Sequence, residues 1–180
     1  MLEERVELWR GGRFVDDEWT YVCDELPIPD DVPAIVSIER FLGERNSLLG
    51  RNARLGVTLT AGSDIERIAE SLDFVSLVAL HFPKYSDGRS YSMARILRDR
   101  LGYSGEIRAR GDILRDQVGF LLRAGFDALE ITDPITLAHL RAGPPYIIRR
   151  HYQPSSSQSE TVDSGFAWRR KSVAIPGSSP

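Results

Sequence analysis

A continuous apolar run near the middle of the chain constrains the fold more than any other feature. Residues 74–82 read FVSLVALHF, and only Ser76 and His81 interrupt the apolar character. Strands buried on both faces of a parallel sheet have this composition, whereas half-exposed strands alternate apolar and polar residues. The run therefore predicts a buried strand, Phe74–Phe82, in a parallel α/β sheet.

Strand and helix patterns alternate about five times from Ala34 onward, which is typical of a mainly parallel sheet with right-handed crossovers. Two architectures fit: an open doubly wound sheet, and an incomplete βα barrel that is too short for the full set of units. Charged and apolar residues alternate in Glu106–Arg110, which favours a barrel-like interior or a sheet edge. The other predicted strands are Ala34–Ser37, Leu55–Thr60 and Ala128–Ile131.

Capping residues mark the predicted helix boundaries. Residues 63–66 read SDIE, a capping-box pattern, and Asp112 is expected to cap a helix in the same way. Asp133 followed by Pro134 opens the last helix, because proline is well tolerated in a first helical turn. Glycines, which favour the left-handed conformation that ends a helix, follow three predicted helices: Gly102, Gly125 and Gly143.

The chain divides into three predicted segments. Residues 1–33 form a hairpin turning at Gly11-Gly12 and a proline-rich connector, and residues 34–152 form the α/β domain. Residues 153–180 are rich in Ser, Pro and Gly and poor in apolar residues, which predicts a disordered tail.

Composition and charge argue against several classes of protein. The net charge is -3, whereas nucleic-acid binding needs a basic face. No apolar run is long enough to cross a bilayer, so we expect no membrane partner. The one cysteine, Cys23, predicts a cytoplasmic protein and cannot by itself ligate an iron–sulfur cluster. No G-x-G-x-x-G motif supports dinucleotide binding, and the identity of any cofactor and the oligomeric state stay open.

Ligands of parallel α/β sheets bind beyond the carboxyl ends of the strands, which selects the loops after three predicted strands. Lys84, Arg89 and Ser90 precede a predicted helix, whose amino end attracts anions. Arg108 and Arg110 share one strand face, and arginine grips oxyanions bidentately. We therefore predict an anion site there. The alternative is structural: Asp87 and Ser90 cap and turn the chain while Arg89 pairs with a carboxylate.

Two residues are candidates for catalysis. His81 ends the buried strand, and its ordinary pKa suits a general acid or base, although a structural histidine is the alternative. Asp112 lies in the next loop, where the helix cap is the alternative role. His81, His139 and His151 are scattered without metal-ligand spacing, so no metal site is predicted.

Three blocks carry a resemblance to a known family: FPKYSDGRSYS at 82–92, continuing as ARILR at 94–98; GEIRARGDILRDQ at 105–117; and RAGFD at 123–127. The sequence resembles the bacterial domain of unknown function nine-three-four over roughly Trp9 to Tyr152. Members are usually labelled oxidoreductases of assimilatory sulfite reduction. The resemblance implies a cytoplasmic protein working beside sulfite reduction, with Lys84–Ser92 and Arg108–Gln117 as its working surface and no established catalytic residues.

The residues limit what that label can mean. Sulfite reductases use a sirohaem with a cysteine-ligated cluster, which one cysteine cannot hold. We therefore expect an accessory protein or oxidoreductase working with a separate sulfite reductase hemoprotein and carrying an anion-binding pocket. The alternatives are a small enzyme acting on an anionic sulfur or phosphate compound, and a noncatalytic α/β interaction scaffold.

Overall fold

A computed structural model of the chain describes residues 6–143, which form a mixed α/β structure around one eight-stranded sheet. The predicted tail at 153–180 lies outside the described residues, so the division into three segments stays a prediction. The strands are β1 Glu7–Arg10, β2 Arg13–Val15, β3 Thr20–Tyr21, β4 Ala34–Ser37, β5 Leu55–Leu59, β6 Leu77–Phe82, β7 Glu106–Gly111 and β8 Ala128–Ile131.

The sheet is a curled half-barrel with strand order β2-β1-β8-β7-β6-β5-β4-β3. From β3 to β8 each strand pairs in parallel with the next along the chain. A doubly wound sheet would reverse its order at a switch point, so that alternative is wrong and the incomplete barrel is correct. The sheet is not parallel throughout, because the hairpin β1–β2 is antiparallel and β1 pairs antiparallel with β8.

Helical segments connect the parallel strands from β4 onward, whereas residues 22–33 join β3 to β4 without a helix. The five regular βα units expected from the sequence are not all present, because a 3₁₀ helix joins β5 to β6 and a π-helical turn extends the next crossover. The helices are α1 Ile38–Gly43, α2 Arg45–Leu49, the 3₁₀ helix Ile65–Phe74, α3 Arg89–Arg95 with the π turn Ile96–Arg100, the 3₁₀ turn Arg115–Gln117, α4 Val118–Ala124 and α5 Pro134–Ala142. Within residues 6–143, none of these helices has the length and apolar character that a membrane crossing requires.

Several helix boundaries follow the local signals. Gly125 ends α4 in the left-handed region, with φ of 101°, and the Asp133 carboxylate accepts a hydrogen bond from Thr136 N at the start of α5. Two predicted caps are wrong. Asp64, not Ser63, caps the 3₁₀ helix, and Asp112 caps none, because the next helical turn begins at Arg115.

The convex face of the sheet carries the main apolar core. Side chains from alternate strand positions, among them Val57, Leu80 and Ile107, pack against the helices and are fully buried. The run that predicted a strand from Phe74 enters the sheet only at Leu77. Phe74 instead ends the 3₁₀ helix and is exposed.

The concave face holds a smaller apolar cluster of Trp19, Ile35, Leu77 and Ala79 beside a group of charged side chains. Trp19 lies over Gly56, where a Cβ atom would stand 2.9 Å from Ile35 Cγ1 and 3.3 Å from the indole. The absence of a side chain at residue 56 therefore lets the segment before β3 fold across the inside of the half-barrel. The charged group beside this cluster forms the candidate site.

Candidate functional site

Arg108 is the centre of an interior network on the concave face, and it is the largest fully buried side chain in the described part of the chain. Its guanidinium forms a two-pronged contact with Asp17, with Nη1 donating to Oδ2 at 2.7 Å and Nη2 to Oδ1 at 3.2 Å. It also donates to Glu106 at 3.0 Å and to Glu130 at 3.1 Å. Its donors are thus directed at three carboxylates of the protein itself.

The carboxylates around Arg108 keep its buried guanidinium protonated. Burial alone lowers the pKa of its guanidinium. The hydrogen bonds to Asp17 and the negative charges of Glu106, Asp17 and Glu130 outweigh burial and raise that pKa above its ordinary value. Arg108 is therefore a permanent cation that holds β7, β8 and the segment before β3 together.

Tyr21 spans the inside of the half-barrel. Its hydroxyl donates to Glu130 Oε1 at 2.6 Å, which joins β3 at one end of the strand order to β8. Burial, followed by the charge of Glu130 and the hydrogen bond to it, raises the pKa of Tyr21, so the phenol stays protonated. The contact shows that the sheet is strongly curled, because four strands lie between β3 and β8 in the strand order.

His81 and Arg110, which we call the rim site, lie at the carboxyl ends of β6 and β7. They are paired in the parallel register of the two strands, so their side chains share the concave face. The guanidinium of Arg110 lies 3.9 Å from the centre of the Tyr21 ring and contacts Glu130 Oε2 at 3.8 Å, which is longer than a hydrogen bond. A third of the Arg110 side chain is exposed (33%), so its donors can reach a ligand.

The histidine of the rim site is held beside β7 and is shifted toward its neutral form. A Cβ atom on Gly111 would stand 2.9 Å from the His81 ring, which places the imidazole directly over the end of β7. Burial, and then the positive charge of Arg110, lower the pKa of His81, while the charge of Glu130 acts in the opposite direction. The neutral imidazole can donate one hydrogen bond and accept another.

The loop after β6 and the start of α3 carry the other predicted anion ligands, which differ in their exposure and in their hydrogen bonds. Lys84 is exposed, whereas Ser90 is fully buried and its hydroxyl donates to the His81 carbonyl at 2.9 Å. Arg89 donates to Asp87 at 2.6 Å, and Asp87 also accepts the Arg89 backbone N–H. Hydrogen bonds from Arg89 lower the pKa of Asp87 to about 2. An external anion at the start of α3 would therefore compete with Asp87.

Asp112, the second predicted catalytic residue, connects two loops. Its carboxylate accepts the Tyr85 backbone N–H at 2.9 Å, and its own N–H donates to the Phe82 carbonyl at 2.9 Å. Gln117 donates to the Tyr85 carbonyl at 2.7 Å and strengthens the same connection. These bonds hold the loop after β6 against the loop after β7.

Sequence reasoning missed three side chains that shape the site: Asp17, Tyr21 and Glu130. All three contact Arg108 or Arg110 across long stretches of chain, so no local spacing connects them. The one available signal was Glu130 itself, a carboxylate inside the apolar strand Ala128–Ile131, since buried charges are normally paired.

Comparison with known proteins supports the resemblance seen in the sequence. No curated protein matches the chain. The family described as bacterial protein of unknown function (DUF934) matches residues 56–162, which is more than half of the chain. The match begins at β5, later than Trp9, and it includes the rim site and the loops around it. The chain therefore belongs to the bacterial protein family of unknown function DUF934.

Proposed function

We propose that this protein binds a small oxyanion at the rim site and acts as an accessory protein of assimilatory sulfite reduction, beside a separate sulfite reductase hemoprotein. The observation that supports the binding site is the state of Arg110. Its guanidinium is oriented by the Tyr21 ring yet is not saturated by a carboxylate. The link to sulfite reduction rests on the resemblance of the sequence.

Charge balance around the rim site favours uptake of an anion together with a proton. Three arginines (Arg10, Arg108, Arg110) face three carboxylates (Asp17, Glu106, Glu130), and these charges contact one another. A bound oxyanion adds negative charge to this balanced group. His81, next to Arg110, can take up a proton and restore the balance, so binding should strengthen as the pH falls below the ordinary histidine pKa of 6.5.

The binding step is tested by titrating the protein with sulfite or sulfate while following the His81 ring by NMR. The anion should raise the pKa of His81, and Arg110→Gln should abolish the effect. Arg100→Gln removes the same charge from an exposed side chain that contacts Glu66 at 3.4 Å, and it should leave the titration unchanged. An unchanged His81 titration at saturating sulfite would refute the proposed site.

The biological role is tested in the host bacterium. A strain lacking this protein should grow on cysteine but poorly on sulfate, and Arg110→Gln should fail to restore growth on sulfate, while Arg100→Gln should restore it. Protein captured from cells grown on sulfate should carry the absorption of a sirohaem partner. Equal growth on both sulfur sources would count against the accessory role.

A second function, a small enzyme acting on an anionic sulfur or phosphate compound, is favoured by one observation. Glu130 is almost fully buried, with 6% of its surface exposed, and lies beside Arg110 and Tyr21. The carboxylate and the neutral imidazole of His81 offer two proton acceptors, and the guanidinium of Arg110 offers an anion clamp. Turnover by the isolated protein, lost in His81→Gln with the fold intact, would favour the enzyme over the accessory role.

A further inference from the structure

A polar cavity of about 410 Å³ lies away from the rim site, between the proline-rich connector and helices α1 and α2. We call it the connector pocket. It precedes residue 56 and so lies outside the segment that matches the family. Its polar walls include Asp30, Arg40, Glu44, Ser47, Arg51 and Asn52.

Arg51 is the buried cation of the connector pocket, since only 7% of its side chain is exposed. Its Nη2 donates to main-chain carbonyls of the connector, at 2.5 Å to Pro29 and 3.2 Å to Val32, and its Nη1 donates to the Ile28 carbonyl at 3.4 Å. Its Nε is buried, and no acceptor for it is found among residues 6–143. The connector therefore holds the Arg51 guanidinium in place as part of the pocket wall.

Arg40 adds a second largely buried guanidinium, with 9% of its side chain exposed. Its Nη1 donates to the Cys23 and Leu26 carbonyls, each at 2.8 Å. Carbonyl oxygens satisfy these donors but carry no net charge. Each guanidinium also approaches one acidic side chain, Glu44 for Arg40 and Asp30 for Arg51.

The acidic residues of the connector pocket lie toward solvent. Asp30 is fully exposed and approaches Arg51 only to 3.7 Å, and about half of the Glu44 side chain is exposed (47%) where it accepts from Arg40. Water screens exposed carboxylates, whereas the buried guanidinium groups act in a medium of lower dielectric constant. The inside of the cavity is therefore more positive than a count of its charges indicates.

We propose that the connector pocket binds a small metabolite through a carboxylate or phosphate group. The cavity has the volume of an ordinary small-molecule site, and guanidinium groups recognise both anions. Ser47 and Asn52 add neutral hydrogen-bonding groups for the rest of the molecule. This inference does not depend on the rim site.

The test follows the Arg51 Nε–H signal by NMR during titration with inorganic phosphate and, separately, with acetate. Arg51→Lys identifies the signal. One of the two anions should shift it saturably, and Asn52→Asp, which adds a negative charge to the pocket wall, should weaken binding about tenfold. Asn46→Asp is the matched control, because Asn46 is exposed on α2 and does not line the pocket.

The outcomes of this experiment test the connector pocket independently of the proposed function. An Arg51 shift that is weakened only by Asn52→Asp supports the connector pocket, and the preferred anion distinguishes phosphate from carboxylate ligands. No shift with either anion, or equal effects of the two Asn→Asp changes, overturns it. Because the rim site is observed at the His81 ring, a His81 response without an Arg51 response leaves the proposed function standing alone.

Discussion

Arg108 and Arg110 lie two residues apart on the same face of β7, and they differ in burial and in their contacts with carboxylates. Arg108 is fully buried and donates to three carboxylates, whereas a third of Arg110 is exposed and its carboxylate contact is long. The difference arises from depth within the half-barrel, because residues 17–21 cover Arg108 but lie only beside Arg110. The comparison teaches that the protein's own carboxylates take up an inward-facing arginine in the middle of this sheet, whereas an arginine at the rim stays partly exposed.

Removal of the inner arginine should have the largest effect. Arg108→Met leaves Asp17, Glu106 and Glu130 without their shared cation, and it should lower the free energy of unfolding by about 3–5 kcal/mol. Arg110→Met, the same change on the same strand face, should cost only about 1 kcal/mol through the lost stacking on Tyr21. Urea denaturation of both variants tests this, and equal losses would erase the distinction between interior and rim.

A methyl group at Gly56 should disturb the segment that covers the interior. The new Cβ atom would stand 2.9 Å from Ile35 Cγ1 and 3.3 Å from Trp19, so Gly56→Ala should lower the free energy of unfolding by about 1–3 kcal/mol. Gly43→Ala is the control, because its Cβ atom would have no neighbour within 4 Å. If calorimetry gives the two variants the same melting temperature, Trp19 does not pack against Gly56 as described.

Loss of the Tyr21 hydroxyl isolates the contact that spans the half-barrel. Tyr21→Phe removes one hydrogen bond to the Glu130 carboxylate and keeps the ring under Arg110, so it should cost about 1.5 kcal/mol in chemical denaturation. Tyr85→Phe, at an exposed ring, should change stability by less than about 0.5 kcal/mol. A Tyr21→Phe variant as stable as the parent would mean that the contact adds nothing in solution.

The smallest effect should be a pH dependence that comes from the rim. The folded-state pKa of His81 is lowered by burial and by Arg110, so the unfolded chain binds the proton more tightly. The stability associated with the neutral ring is therefore fully present above pH 6.5 and declines as the pH falls toward the folded-state pKa. His81→Gln should remove this decline in denaturation curves measured across that range, and a His81 pKa above 6.5 by NMR would contradict it.

Local signals predicted local structure well. Gly125 and Asp133 end and begin helices as expected, because a cap depends on residues within one turn. Asp112 shows the limit of such reasoning. Its carboxylate accepts from Tyr85, a partner in the preceding loop, and this tertiary contact replaces the cap that its position in the sequence suggests.

The sequence by itself determined the α/β class, most strand positions and the shared face of Arg108 and Arg110, since each depends on periodicity or nearest neighbours. Only the tertiary structure decided that the sheet curls into a half-barrel, and that Asp17, Tyr21 and Glu130 meet the arginines. Those contacts join residues far apart in the chain, across 91 positions for Asp17 and Arg108 and 109 for Tyr21 and Glu130. Burial and charge pairing at such separations depend on the curvature of the whole sheet, which no single stretch of sequence specifies.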